Sequence, residues 1–343
     1  MIRLLIAAGV SLGMSLLVTR FLIDWLTRHR IGQPIREDGP QGHVTKAGTP
    51  TMGGVAIVAG LLAGYVVSGS WRGVYTRTGI IVVLAIAGAG VVGLVDDWIK
   101  VSRERNLGLT KRAKLAGLLI VGIGFSVAML TLTQVHTELS FTRYDSIGID
   151  LGTTGWAVWA LLLILGSTNA VNLTDGLDGL AGGSAVLSFA AFTVIGFWGF
   201  RHPEVYDVTH SLDLAVVAAA MLGACTGFLW WNAAPAQIFM GDTGALAIGA
   251  ALATLALGTN THLLLPIIGG LYVLETVSVI LQVGSYQLTG RRIFRMAPIH
   301  HHFELGGWPE TTVIVRFWIL AGLATALAMG IYYADFVGTG ALD

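Results

Sequence analysis

Four stretches of the chain carry side chains with chemical promise: Asp96 and Asp97 in GLVDDWIK; Asn169, Asn172, Asp175 and Asp178 in NAVNLTDGLDGLAGG; Asp242 in QIFMGDTG; and His300, His301 and His302 in APIHHHFE. Neighbouring helix positions point about 100° apart, so Asp96 and Asp97 must have different tasks. Asp175 and Asp178 stand three apart, as do Asn169 and Asn172, a spacing that puts each pair on one helical face. Carboxylate and amide oxygens suit a hard cation. Mg2+ uses one or two protein carboxylates together with substrate phosphates and water, so the set predicts Mg2+ and a diphosphate substrate. Lys46, Lys100, Lys111, Arg112 and Lys114 add positive charge for such an anion. The stretch GTPTMGG, with Thr51 at its centre, offers hydroxyls and free amides at a helix start, a seat for an anion. No GK[ST] follows, which excludes a Walker-type nucleotide loop. Plainer readings stand beside these: Asp175 or Thr174 as a helix cap, Asp242 as another, and GTPTMGG as a simple loop-to-helix junction. Gly241 and Gly244 flank Asp242 and would let backbone approach a ligand closely.

The elements that position these groups are set by composition. Of 343 residues, 54% are hydrophobic and 12% charged, against roughly 25% charged in soluble domains. Ten apolar runs recur, near 2–26, 53–69, 79–95, 115–133, 155–170, 179–199, 212–231, 244–259, 264–285 and 313–333. Lipid leaves no partner for an open sheet edge, and the runs do not alternate in polarity, so the expected fold is all-α. The chain is expected to be a single polytopic integral membrane domain, 1–343, with about ten transmembrane helices and a first span that is retained. If the loops after odd-numbered spans share a side, that side holds thirteen of the twenty Lys and Arg residues, among them Arg28, Arg30, Arg36, Lys46, Arg103 and Arg105. The positive-inside rule makes that side cytoplasmic and puts both termini outside. Cys225 lies within a span and has no partner for a disulfide. The outward loop around SFTRY and SIGIDLG suggests a small hairpin at the membrane surface.

All the promising polar segments fall on the cytoplasmic side. A transporter tends to place its polar groups near the bilayer midplane, and only Asp24 and Glu275 come near that here. A catalytic cleft open to the cytoplasm fits better. Glu275, in LYVLETVSVI, is read either as functional or as a hydrogen-bonding group in a bent helix.

KAGTPTMGG, GLVDDWIK, GLTKRAK, NAVNLTDGLDGLA, NAAPAQIFMGDTG and APIHHHFE, in this order, resemble the cytoplasmic signatures of the phospho-N-acetylmuramoyl-pentapeptide transferases, and the resemblance covers nearly the whole chain. It implies a bacterial inner-membrane enzyme of peptidoglycan synthesis. The reaction implied is Mg2+-dependent transfer of phospho-N-acetylmuramoyl-pentapeptide from UDP-N-acetylmuramoyl-pentapeptide to undecaprenyl phosphate, with release of UMP. A homodimer and no nucleic-acid partner are implied as well. By matching motifs, Asp242 is the principal metal ligand, Asp96 the candidate base, and Asp97 a metal or positioning group. Lys46, Asn172, Asp175, Asp178 and Phe239 line the nucleoside pocket, Phe239 by stacking on uracil, while Asn232 and Lys114 hold phosphates. His300 to His302, with His301 a candidate catalytic residue, form a substrate-facing loop and not a transition-metal site. The competing readings are a sister enzyme that transfers N-acetylglucosamine phosphate and a membrane transporter. Direct attack competes with a covalent aspartyl phosphate as mechanism.

Overall fold

The computed structural model describes residues 1–29, 48–70, 75–103 and 107–340. Lys46, named above for the nucleoside pocket, lies outside the described residues, as do Arg30, Arg36 and Arg105 of the charge argument. The fold is helical. Among the described residues, eight helices are long and apolar enough to cross a membrane: α1 (Ile2–Arg28), α3 (Arg77–Ser102), α4 (Lys111–Leu132), α5 (Gly152–Thr174), α6 (Leu180–Arg201), α8 (Ser211–Asn232), α9 (Gly241–Gly258) and α13 (Glu310–Gly338). The apolar α2 (Gly54–Ser70) has 17 residues, and α11 (Gly270–Thr289) has 20 with a more polar sequence. Three short helices complete the set: α7 (Pro203–Tyr206), α10 (Leu265–Ile268) and α12 (Ile299–Glu304). The expected hairpin is present as a two-residue antiparallel ladder, β1 (Glu138–Leu139) with β2 (Ile149–Asp150), pairing Glu138 with Asp150 and Leu139 with Ile149.

The ninth expected run, 264–285, is not one helix. It breaks at Gly269 between α10 and α11. A break within lipid is tolerated where protein groups satisfy the freed backbone. Here the Ile268 carbonyl accepts from Ser188 Oγ of α6 at 3.2 Å and Thr325 Oγ1 of α13 at 3.3 Å.

At the centre stands α9, with every residue from Asp242 to Gly258 buried. It packs chiefly against α3 and α5. Glycines set these distances: a Cβ on Gly54 of α2 would lie 2.0 Å from the Gly244 nitrogen, and one on Gly93 of α3 would lie 2.3 Å from the Asp242 carbonyl oxygen. The helices touch backbone to backbone there, so the first turn of α9 is drawn against α3. At the other end of the bundle a buried ion pair ties four helices together. Asp213 of α8 lies 2.6 Å from Arg3 of α1 and accepts from Tyr65 of α2 at 2.8 Å and from Thr76, which caps α3, at 2.7 Å. The remaining acids of interest collect where α3 and α5 end and α9 begins.

Candidate active site

The sequence leaves Asp242 open as a cap for α9, but the structure gives that task to Asp97. From the last third of α3, Asp97 Oδ1 accepts the Asp242 N–H at 3.0 Å. Its Oδ2 accepts the Thr243 N–H at 2.9 Å and the Thr243 hydroxyl at 2.7 Å. A carboxylate at a helix N-terminus meets both the unpaired amides and the positive end of the dipole. Asp242 itself is therefore released from capping. Gly241 and Gly244 likewise serve packing, contrary to the ligand-approach expectation: a Cβ on Gly241 (φ +71°) would strike Asp97 Oδ2 at 2.6 Å, and Gly244 abuts Gly54.

The freed Asp242 side chain meets cations and an amide from three other helices. Lys100 Nζ of α3 lies 2.7 Å from Asp242 Oδ2, and Lys114 Nζ of α4 lies 2.8 Å from the same oxygen. Asn172 Nδ2 of α5 donates to Asp242 Oδ1. Lys100 also reaches Asp96 Oδ2 at 2.6 Å, while Asp96 Oδ1 accepts the Leu109 N–H at 2.8 Å. Oxygens of Asp96, Asp97 and Asp242 all come within 4.8 Å of one another, and all three residues are buried. Burying three carboxylates together requires compensating positive charge. The two ammonium groups balance two of the three, which leaves the cluster with room for a further cation.

This donor set suits Mg2+, being built of oxygens with two or three carboxylates in reach. Asp242 is the carboxylate aimed into the cluster. Asp97 has both oxygens engaged by α9, although Oδ1, with one donor, keeps a lone pair.

Asp175 closes α5 as its C-cap residue, and α6 is capped by Gly179 at φ +77°, so neither Asp175 nor Thr174 caps α6. Thr174 Oγ1 donates within its own helix to the Ala170 carbonyl at 2.8 Å. Desolvation, with the negative charges of Asp242, Asp97 and Asp178 behind it, pushes the Asp175 pKa up to about 7. Asp178 joins segments: its Oδ2 accepts the Ala236 N–H at 2.9 Å, and its own N–H donates to Glu310 Oε1 at 3.1 Å. Asn232 Nδ2 donates to the Ile238 carbonyl at 2.8 Å and folds the loop leading to Asp242, leaving Oδ1 buried without a hydrogen-bond partner. Asn169 is exposed and donates to its own helix, at the Leu165 carbonyl, 2.7 Å away. It is not drawn to the acids.

The anion seat expected at GTPTMGG is corrected. The Gly53 and Gly54 amides donate to the carbonyls of Phe239 at 2.9 Å and Met240 at 2.8 Å, and the Phe239 amide donates to the Pro50 carbonyl at 2.8 Å. The segment pairs like a strand with IFM. Its amides hold Phe239 in place instead of binding an anion, and Thr51 is buried beside them while the Phe239 ring stays partly exposed.

The three histidines diverge. His300 is fully buried, its Nδ1 3.1 Å from Glu275 Oε2. His301 Nδ1 lies 2.7 Å from Glu304 Oε2, and His302 Nδ1 accepts the Arg295 N–H at 3.1 Å. A single substrate-facing row is therefore not what the chain builds, since His300 is enclosed beside Glu275 while His301 and His302 stay partly exposed. Sequence reasoning passed over Glu304 and Glu310, and counted Lys100 only as diffuse positive charge. DDWIK holds the missing signal for Lys100: it stands four residues after Asp96 and three after Asp97, a spacing that places it beside both on a helix.

Comparison with known proteins agrees with the motifs. The pattern of Glycosyl transferase family 4 matches residues 79–260, and that of Phospho-N-acetylmuramoyl-pentapeptide-transferase signature 1 matches residues 46–58. The phospho-N-acetylmuramoyl-pentapeptide-transferase of Thermobifida fusca is 50% identical, covering 98% of this chain and 99% of its own. Those of Frankia alni and Streptomyces griseus are each 48% identical, covering 98% and 97% of this chain and 98% of their own.

Proposed function

The chain belongs to the phospho-N-acetylmuramoyl-pentapeptide-transferase family and is a phospho-sugar transferase of peptidoglycan synthesis; we propose that it moves phospho-N-acetylmuramoyl-pentapeptide from UDP-N-acetylmuramoyl-pentapeptide to undecaprenyl phosphate. One observation carries this reading: Asp96, Asp97, Asp242, Lys100, Lys114 and Asn172, from four helices, meet in one cluster whose three carboxylates are buried. Such a cluster matches a diphosphate and a divalent cation in charge. Asp242, with Asp97 beside it, would hold Mg2+. When bound, Mg2+ neutralises charge on the diphosphate, where most catalysis of phosphoryl transfer originates.

The chain's own groups do the rest. Lys100 and Lys114 hold phosphate oxygens, and Asn172 orients Asp242. An oxygen of the lipid phosphate attacks the phosphorus next to the sugar, the bond to the UMP oxygen breaks, and a polyprenyl diphosphate sugar forms. Asp96 takes the proton of any acceptor phosphate that arrives protonated. Phe239, Asp175 and Asp178 with Lys46 and Thr51 border the nucleoside, and His301 faces the sugar-peptide side. The setting we propose is the bacterial inner membrane, crossed ten times, with both termini outside, the cluster facing the cytoplasm and two copies in a homodimer.

The test is UMP release by purified protein in detergent, without vesicles, given undecaprenyl phosphate and either UDP-N-acetylmuramoyl-pentapeptide or UDP-N-acetylglucosamine. Turnover of the first with added Mg2+ is expected. Turnover of the second alone would transfer the protein to the sister activity, and turnover of neither would refute the reading.

A further inference from the structure

Glu275 has no task in the reaction above. It sits on α11 with no exposure, and the group at ionic distance from it is the equally buried His300, Nδ1 to Oε2 at 3.1 Å. A carboxylate in such a place is costly unless another group neutralises it.

The route that brings His300 there is specific. After α11 the chain turns back along the same helix. Ser285 Oγ donates to the Arg291 carbonyl at 2.9 Å. Gln282 then receives the Ile293 and Phe294 N–H groups on Oε1, at 3.0 and 2.9 Å, and donates to the Phe294 carbonyl at 2.9 Å. His300 comes next, opposite Glu275. As the chain advances from 291 to 300 its tethers retreat from 285 to 275, about 15 Å along the helix axis. The histidine helix α12 thus lies beside the middle of α11.

The far edge of the His300 ring meets Gly176, where a Cβ would lie 2.4 Å from Nε2. That nitrogen, like Nδ1 and both Glu275 carboxylate oxygens, is buried and makes no hydrogen bond of good geometry, so the Glu275–His300 contact is an ion-pair contact by distance. Gly176 belongs to the turn that carries Asp175 and Asp178. Glu275, His300 and this turn therefore form one line of contact from a membrane helix to the nucleotide side of the site.

We propose that Glu275 is a positioning residue for a nucleoside-diphosphate-sugar donor: its carboxylate, at ion-pair distance from Nδ1, holds the His300 ring in place, and the Nε2 edge of that ring seats the Asp175–Asp178 turn. A carboxylate beside one ring nitrogen sets which nitrogen carries the proton and how the ring lies. Gly176 carries no side chain, which lets the ring approach the backbone. The inference rests on the proposed function in that it takes this turn as part of the donor pocket.

The experiment uses the full chain in detergent and measures binding of UDP-N-acetylmuramoyl-pentapeptide by calorimetry, the KM for each substrate, and the thermal midpoint. Glu275→Leu is expected to raise the donor KM about tenfold while the KM for undecaprenyl phosphate stays within about twofold. Glu275→Gln keeps the side-chain shape and a polar oxygen facing Nδ1 and is expected to recover most of the loss. His300→Leu should match Glu275→Leu, and the double variant should be no worse than either single one, because the two residues act as a unit. Loss of thermal stability with an unchanged donor KM, or additive effects in the double variant, would overturn the proposal. Should Glu275→Leu not be recovered folded, Gly176→Ala carries the test: its methyl group displaces the His300 edge and must raise the donor KM with the lipid KM unmoved, and an unchanged donor KM overturns the proposal. Wild-type protein that fails to bind the UDP donor would instead remove the functional reading beneath it.

Discussion

Replacing Asp97 separates a helix cap from a metal ligand. In Asp97→Ala the Asp242 and Thr243 amides, both buried, lose their acceptor. An unsatisfied buried donor costs about 1–3 kcal/mol, so the pair sums to roughly 2–6 kcal/mol, while the Thr243 hydroxyl can rotate to another acceptor. Asp97→Asn keeps one oxygen, which can serve Thr243, and turns its NH2 toward the Asp242 N–H. One donor is then stranded, and the loss should be about half as large. The assay pairs the thermal midpoint in detergent with Mg2+ binding measured by calorimetry on Asp97→Asn, Asp97→Ala and Asp242→Asn. Stability should fall in the order wild type, Asp97→Asn, Asp97→Ala, with Mg2+ affinity reduced most in Asp242→Asn. Asp97→Asn with wild-type stability, or with a loss of Mg2+ affinity equal to that of Asp242→Asn, would refute the assignment of Asp97 as a cap.

Three further outcomes follow from the geometry. Lys100 stands as a competing cation among the carboxylates, so Lys100→Met is expected to bind Mg2+ severalfold more tightly while turning over more slowly; weaker binding by calorimetry would contradict this. Gly54→Ala places a methyl 2.0 Å from the backbone nitrogen of Gly244, which cannot yield, and should sharply cut the yield of folded protein on size-exclusion chromatography, whereas Gly124→Ala, with nothing within 4 Å, should be near neutral. Asp175 holds its proton up to about pH 7 in the folded state but releases it near 3.8 when unfolded, so stability in Mg2+-free buffer should fall as pH rises between those values and level off above. Asp175→Asn should flatten that slope in thermal midpoints measured across the window, and an unaltered slope would contradict the assignment.

Hydropathy located the helices because lipid demands long apolar runs, and the observed helices track the expected spans to within a few residues at most ends. α3 is the instructive exception: it runs past 95 to Ser102, since its two aspartates find partners on α9 and need not mark a helix end. The break at Gly269 was hidden because its freed carbonyl is satisfied by hydroxyls more than fifty residues away in either direction. At the site, residue types announced a cation and a phosphate, and the shared burial of Asp96, Asp97 and Asp242 agrees with that. What local sequence could not show is which polar group spends itself on which backbone. Asp97 caps a helix 145 residues on, the Gly53 and Gly54 amides are taken by Phe239 and Met240, and His300 is claimed by Glu275. Each is a long-range pairing, and spacing rules see only neighbours along one helix.

The burial of α9 bears on how the chain is made. This is the least apolar of the eight candidate spans and the most enclosed, so it is the one least able to rest in lipid alone. Its principal neighbours, α3 and α5, and the α2 glycine that meets Gly244 all precede it in the sequence. Synthesis runs from the N-terminus, so those walls stand before α9 leaves the ribosome. The order of the helices along the chain thus doubles as an order of assembly, in which the helix that carries Asp242 enters a slot already lined and finds its capping carboxylate waiting.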